Sequence, residues 1–227
     1  MSQTTTSSTS ALPARDYAAF LFDMDGTILT SIKAAERVWG NWAASHGIDV
    51  AAFLPTIHGR RTEDTVRDQN LAGVDPLAEA ARITAAEIED TAGIEAIAGV
   101  ADFLASLPRA RWAIVTSAPR KLALARIAAA GLPLPDVLVA AEDVTRGKPA
   151  PDPFLLGAQQ LGVAVGDCLV FEDTLAGLQS AEAAGMDSVV ITVTHTHPVE
   201  TDAFGTVDYA QLRAVQTRDG LLRLEKR

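Results

Sequence analysis

A doubly wound α/β fold, with a parallel sheet and an inserted helical domain, is predicted for this chain by three observations. Short runs that are apolar on both faces recur along the sequence, as strands buried beneath helices require. Helical patterns with clear start and stop residues lie between them. One interval, residues 31–96, breaks that rhythm with helical patterns and no convincing strand.

The strand candidates are residues 17–23, 111–117, 137–141, 168–172 and 188–193. The first intervening helix spans 119–130, with Pro119 in its first turn and Gly131 as its stop. In the second, Asp152 can cap a helix that has Pro153 at its first position and ends near Gly162. The third, 174–184, begins beside Asp173 and ends at Gly185. Strands alternating with helices imply right-handed crossovers and a doubly wound sheet. Within the interruption, helical stretches near 32–46, 62–71 and 76–91 hang from linkers after Leu29 and near 93–99. The expected division is a disordered tail over 1–15, an α/β core over 16–30 and 97–227, and a helical cap over 31–96. Such a cap would stand above the carboxyl ends of the strands, where sheets of this kind bind ligands.

Bulk properties narrow the function. The 227 residues are 48% hydrophobic, enough for a sizeable core. A formal charge of −10 counts against nucleic acid and anionic membrane as partners, and an anionic substrate would need a local cation. Cys168 is the only cysteine, which excludes an internal disulfide and suits a reducing cytoplasm. No apolar run reaches membrane-spanning length, and the Ser/Thr-rich start does not read as a secretory signal.

The densest signal is Asp23-Met24-Asp25-Gly26-Thr27, at the end of the first apolar run. Residues i and i+2 of a strand point the same way, so Asp23 and Asp25 project together. Two such carboxylates repel each other and attract a divalent cation. A calcium loop needs further oxygen ligands just downstream, and Ile28, Leu29, Ile32 and Lys33 supply none. Other polar groups close the later strands: Thr116-Ser117, then Gly147-Lys148-Pro149, then Glu172-Asp173. In a doubly wound sheet these ends converge on one crevice, and the helices starting after Ser117 and Asp173 offer N–H groups to an anion.

In these segments the chain resembles the haloacid dehalogenase-like superfamily, in its magnesium-dependent phosphatase branch with a helical cap. The matching stretches are Phe22-Asp23-Met24-Asp25-Gly26-Thr27, Val115-Thr116-Ser117, Gly147-Lys148-Pro149-Ala150-Pro151-Asp152 and Phe171-Glu172-Asp173-Thr174-Leu175-Ala176-Gly177, in the family's order. The resemblance implies that Asp23 is a nucleophile forming an aspartyl-phosphate and Asp25 the general acid and base. It implies Mg²⁺ held by Asp23, Asp173 and the Asp25 backbone carbonyl, with Glu172 assisting. Thr116, Ser117 and Lys148 would bind the phosphoryl group. An anionic nucleophile meeting a dianionic ester needs that metal and ammonium.

The second aspartate counts against a dehalogenase, whose halide leaving group needs no proton. Mutases of the superfamily carry a histidine early in the first cap helix, where this chain has Ala35, and Lys-Gly-x-x-Arg in a cap loop. Here that loop reads His58-Gly59-Arg60-Arg61-Thr62, similar to glycerol-phosphate phosphatases, which makes His58 and Arg61 candidate substrate contacts. The expected reaction is hydrolysis of a small phosphorylated polyol or sugar. The alternatives are a β-phosphoglucomutase-like mutase, a phosphoglycolate phosphatase or, from another class, a signalling receiver.

Weaker signals read as structure. Trp39 and Trp42, i and i+3 on a helix, are expected to pack. His195 and His197 are expected in a loop after the last strand rather than at a metal, Cys168 as an inert core thiol, and 223–227 as a solvated terminus.

Overall fold

The computed structural model describes residues 11–57, 60–195 and 199–227. In chain order it contains β1 (Ala19–Phe22), β2 (Leu29–Thr30), α1 (Ile32–Ser45), α2 (Val50–Phe53), α3 (Thr62–Asp68), α4 (Pro76–Glu89), β3 (Glu95–Ala96) and α5 (Val100–Ala105). There follow β4 (Trp112–Val115), α6 (Arg120–Ala129), β5 (Val137–Val139), α7 (Asp152–Leu161), β6 (Cys168–Glu172), α8 (Leu175–Ala184) and β7 (Asp187–Ile191). The chain closes with β8 (Phe204–Thr206), β9 (Leu212–Gln216) and β10 (Leu222–Lys226).

Six strands form one parallel sheet in the order β5-β4-β1-β6-β7-β8. From β1 the chain steps outward through β4 to β5, then returns to β6 on the other side of β1. The order therefore reverses beside β1, which opens a crevice at its carboxyl end. Strand alternation fills both faces of the sheet. Phe20, Phe22, Trp112, Ile114, Leu169 and Phe171 point into one cluster, closed by α5, α6 and the β9–β10 hairpin. Ala19, Leu21, Ala113, Val115, Cys168 and Val170 point into the other, closed by Phe154 and Ala158 of α7 and Ala181 of α8. Burial pushes the Cys168 thiol up to about 12, so it packs as a neutral side chain. No helix among the described residues is long and apolar enough to cross a membrane.

The helices of residues 32–89 keep a core of their own, built on Trp39, Trp42, Phe53, Ile57, Val66 and Ile83. The Trp39 and Trp42 rings meet edge to face at 5.5 Å, the packing role their spacing predicts. The two linkers to these helices pair with each other: β2 and β3 form an antiparallel ribbon, Leu29 opposite Ala96 and Thr30 opposite Glu95. Ile97 N–H donates to the Ile28 carbonyl at 3.0 Å just beyond it.

Several expectations need correction. The interval read as free of strands holds Glu95–Ala96, because a two-residue ribbon is too short to show any periodicity. Residues 223–227 are not a solvated end: Leu222 and Leu224 of β10 are each 1% exposed against the sheet, while Arg223 alternates outward. Asp152 is the first residue of α7 rather than its cap, and its carboxylate pairs with Arg146 at 2.9 Å. Part of the expected tail is attached: Leu12 packs on the core and Arg15 pairs with Asp187 at 2.8 Å. His195 lies after β7 in a non-helical, non-strand segment, and His58 and His197 fall outside the described residues.

Hairpin attachment can be checked by truncation. Leu224→Ala should cost about 2–4 kcal/mol in urea denaturation, the range for emptying a buried leucine site. Arg223→Ala, on the outward face, should leave the midpoint nearly unchanged; equal losses would mean the hairpin is not packed on the core.

Candidate active site

Asp23 is the first residue beyond β1, at the reversal of strand order, and is 7% exposed. Its Oδ1 accepts from Lys148 Nζ at 2.6 Å. The same ammonium donates to Glu172 Oε1 at 2.7 Å and to the Val115 carbonyl at 3.0 Å, so all of its N–H bonds are used. Burial alone would lower the lysine, but Asp23 and Glu172 outweigh it and hold the ammonium above its ordinary range. Glu172 Oε2 accepts from the amides of Asp173 and Thr174, both at 2.8 Å, and from the Thr174 hydroxyl at 3.0 Å. Thr174 in turn caps α8 through the Gly177 amide. Of the amides at this helix start, those of Asp173 and Thr174 are therefore taken by Glu172 and that of Gly177 by Thr174. At α6, Glu142 takes the Arg120 amide in the same way.

Asp173 is placed differently. Its carboxylate meets only hydroxyls, Thr27 at 3.2 Å and Thr194 at 3.5 Å, and among the described residues it forms no ion pair. Burial, then the charges of Glu172 and Asp23, push it well above the carboxylate range. Burial also raises Asp23, against the pull of Lys148. One oxygen each from Asp23, Glu172 and Asp173 lie within 4.8 Å of one another. Two of these three buried carboxylates thus share one lysine, and the third has no cation among the described residues. Such a hard, oxygen-only group with uncompensated charge fits a divalent cation.

Two glycines let these carboxylates approach. Gly26 has φ +89°, and a Cβ there would meet Asp173 Oδ2 at 2.0 Å. A Cβ on Gly177 would meet the Glu172 carboxyl carbon at 1.8 Å. Neither distance is compatible with a side chain.

Asp25 turns toward the helical insertion. Its Oδ1 accepts from Ser31 Oγ at 2.6 Å and its Oδ2 pairs with Arg126 Nη1 at 2.9 Å. Arg126, on α6, reaches Glu87 of α4 through Nη2 at 2.8 Å. A cavity of about 70 Å³ lies among Asp23, Asp25, Thr116, Ser117, Trp39 and Arg126. Thr116 and Ser117 thus flank Asp23 as their order predicts, and the Thr116 hydroxyl accepts the Ala118 amide at 3.0 Å.

Arg61 does not line that cavity; Arg60 does. Arg61 instead donates to the carbonyls of Ala141, Val144 and Thr145 at 2.9, 2.7 and 3.1 Å, tying the insertion to the loop that leads to Lys148. The motif reading missed Glu87 and Arg126. A signal was present: Arg126 falls on the buried stripe of α6 with Leu122, Ala123 and Ile127, and Glu87 on that of α4 with Ala80 and Ile83. A charge on an apolar stripe is a burial that needs a partner.

Gly177→Ala should destabilise the protein by about 1–3 kcal/mol, as overpacking beside Glu172 does elsewhere. Gly166→Ala, with no atom within 4 Å of the added carbon, serves as the control. Indistinguishable denaturation midpoints would show that Glu172 has room to move.

The model of the haloacid dehalogenase-like hydrolase family matches residues 17–185. Hexitol phosphatase A of Escherichia coli (strain K12) is 43% identical over 194 residues, covering 83% of this chain and 88% of that protein. Fructose-1-phosphate phosphatase YqaB, from the same organism, is 37% identical over 188 residues, covering 76% of this chain and 95% of its own. Among solved structures, CbbY from Rhodobacter sphaeroides in complex with phosphate superposes with a TM-score of 0.72 at 26% identity, covering 86% of this chain and 96% of that one. With the sheet order, the insertion and the acidic crevice described above, these matches make the chain a member of the haloacid dehalogenase-like hydrolase family.

Proposed function

We propose that the protein is a Mg²⁺-dependent phosphatase that hydrolyses a small phosphorylated polyol or sugar through an aspartyl-phosphate on Asp23. The observation that carries this reading is the buried Asp23–Lys148–Glu172 set beside Asp173, opening on a cavity that holds Thr116 and Ser117. The names of the relatives, which act on hexitol and fructose phosphates, support the substrate class.

In the first step an Asp23 carboxylate oxygen forms a bond to phosphorus, and the phosphorus–oxygen bond of the ester breaks. Asp25 gives its proton to the departing alkoxide, which leaves as the alcohol. In the second step Asp25 takes a proton from water, whose oxygen displaces Asp23 and releases inorganic phosphate. Lys148 neutralises charge on Asp23 and on the phosphoryl oxygens, and the hydroxyls of Thr116 and Ser117 donate to those oxygens. Asp23, Asp173 and the Asp25 carbonyl would hold Mg²⁺, which when bound offsets the charge of the phosphoryl group. Glu172, with both oxygens engaged, serves by fixing Lys148 and the turn into α8. Hard oxygen donors favour Mg²⁺ over zinc.

The 31–96 insertion acts as the cap. It closes over the site through Arg61 and Glu87, which excludes water from the reacting group. Ala35, buried and lining the cavity, stands where the mutases carry a histidine, and the missing imidazole favours hydrolysis.

A panel of polyol and sugar phosphates tests this. Phosphate release should require Mg²⁺, stop with EDTA, and fall by at least ~10³-fold in Asp23→Asn, the scale for losing a nucleophile. An Asp23→Asn variant within tenfold of the parent would remove the aspartyl-phosphate from the account.

A further inference from the structure

The proposed mechanism leaves one buried cation unused. Arg126 is 6% exposed, and Glu87 beside it is 4% exposed, although they come from α6 of the core and α4 of the insertion. Burying an ion pair is costly, and an apolar pair of the same size would pack there as well or better. Arg126 is divided between Asp25 at 2.9 Å and Glu87 at 2.8 Å. Its Nε–H, however, is buried and has no partner. Buried donors are almost always satisfied, and on a residue that lines a cavity a ligand acceptor would complete the set. Arg126 and Glu87 both line the cavity that contains Asp23.

The position relative to the reacting groups assigns the ligand atom. Thr116, Ser117 and Lys148 surround Asp23 on the phosphoryl side, and Asp25 marks the leaving oxygen. Arg126 touches Asp25, so it adjoins the carbons that carry that oxygen. A hydroxyl there can accept from a guanidinium N–H and donate to a carboxylate at once. A methylene can do neither. The cavity is small, about 70 Å³, so only the part of the substrate nearest the ester can lie against Arg126.

We infer that Arg126 and Glu87 form the specificity element of the site, reading a hydroxyl on the carbon next to the phosphate ester. This rests on the phosphatase reading and deepens it: the substrate class becomes esters with a vicinal hydroxyl, whatever their chain length. Arg126 has a second role as a positioning residue, because it also fixes Asp25.

The test compares glycerol 1-phosphate with n-propyl phosphate, two esters whose reacting ends are alike and which differ in the hydroxyls. The wild-type protein should favour the glycerol ester in kcat/KM by about 10- to 100-fold, the range for losing a hydrogen bond to a charged group. Arg126→Lys keeps the positive charge but loses the forked N–H set, and should bring that ratio near 1 while slowing both esters. Glu87→Gln should lower the ratio as well, and covers the case in which Arg126→Lys does not fold. A purely structural pair would slow both esters by the same factor; an unchanged ratio in folded variants overturns the inference. Equal rates on the two esters with wild-type protein would overturn it too, while leaving the phosphatase reading intact. If neither ester nor p-nitrophenyl phosphate is hydrolysed with Mg²⁺, the phosphatase reading fails, and this inference with it.

Discussion

Three carboxylates brought out of water around a single ammonium set the terms for the rest of the molecule. Asp23 and Glu172 sit at the ends of neighbouring strands and share Lys148, while Asp173 follows with no cation of its own among the described residues. Desolvation disfavours every one of those charges, and their mutual repulsion adds to it. The structure offsets part of this with backbone amides to Glu172 and hydroxyls to Asp173. What is left over is a negative charge that a dication would neutralise. The strain is thus local, and on the proposed function it belongs to a ligand set held ready for metal and phosphate.

The fold supplies the geometry for that crowding. Reversal of strand order beside β1 brings the ends of β1, β4 and β6 to one place, and the glycines at 26 and 177 remove the side chains that would keep the carboxylates apart. The paired linkers β2 and β3 join the helical insertion to the core by hydrogen-bonded backbone rather than by loose chain. Arg61 and the Glu87–Arg126 pair then fasten the insertion at two separate points. Asp25 belongs to both halves, since it grows from the core turn and is held by Ser31 and Arg126 at the base of the insertion. The insertion and Asp25, the acid of the proposed mechanism, are therefore linked through one guanidinium.

Much of this was legible in the residues because strong local rules apply. Strands covered on both faces read as apolar runs, and the α7 and α8 stops at Gly162 and Gly185 adopt the left-handed conformation that glycine favours. The polar groups at the strand ends were found because nothing but chemistry explains them there. The β9–β10 hairpin was missed because Arg213, Arg218, Arg223 and Arg227 hide a period of two in which Leu222 and Leu224 point inward. Arg61 was read as a candidate substrate contact, and its bonds to the carbonyls of residues 141, 144 and 145 were not legible, since which way a side chain leaves a loop depends on the core it meets. Glu87 and Arg126 lie 39 positions apart on helices that touch only in three dimensions. A charged residue on an apolar stripe announced each of them, but not their pairing.

The central claim is the crowding of Asp173 against two other buried carboxylates, and thermal unfolding with and without Mg²⁺ measures it directly. Wild-type protein should be stabilised by Mg²⁺, by about 2.7 kcal/mol at a hundredfold excess over Kd. In Asp173→Asn the metal-free protein should melt about 2–4 °C higher than wild type, because about 1 kcal/mol of buried repulsion is gone, and its response to Mg²⁺ should disappear. A metal-free variant that melts lower than wild type and still responds fully to Mg²⁺ would contradict the account.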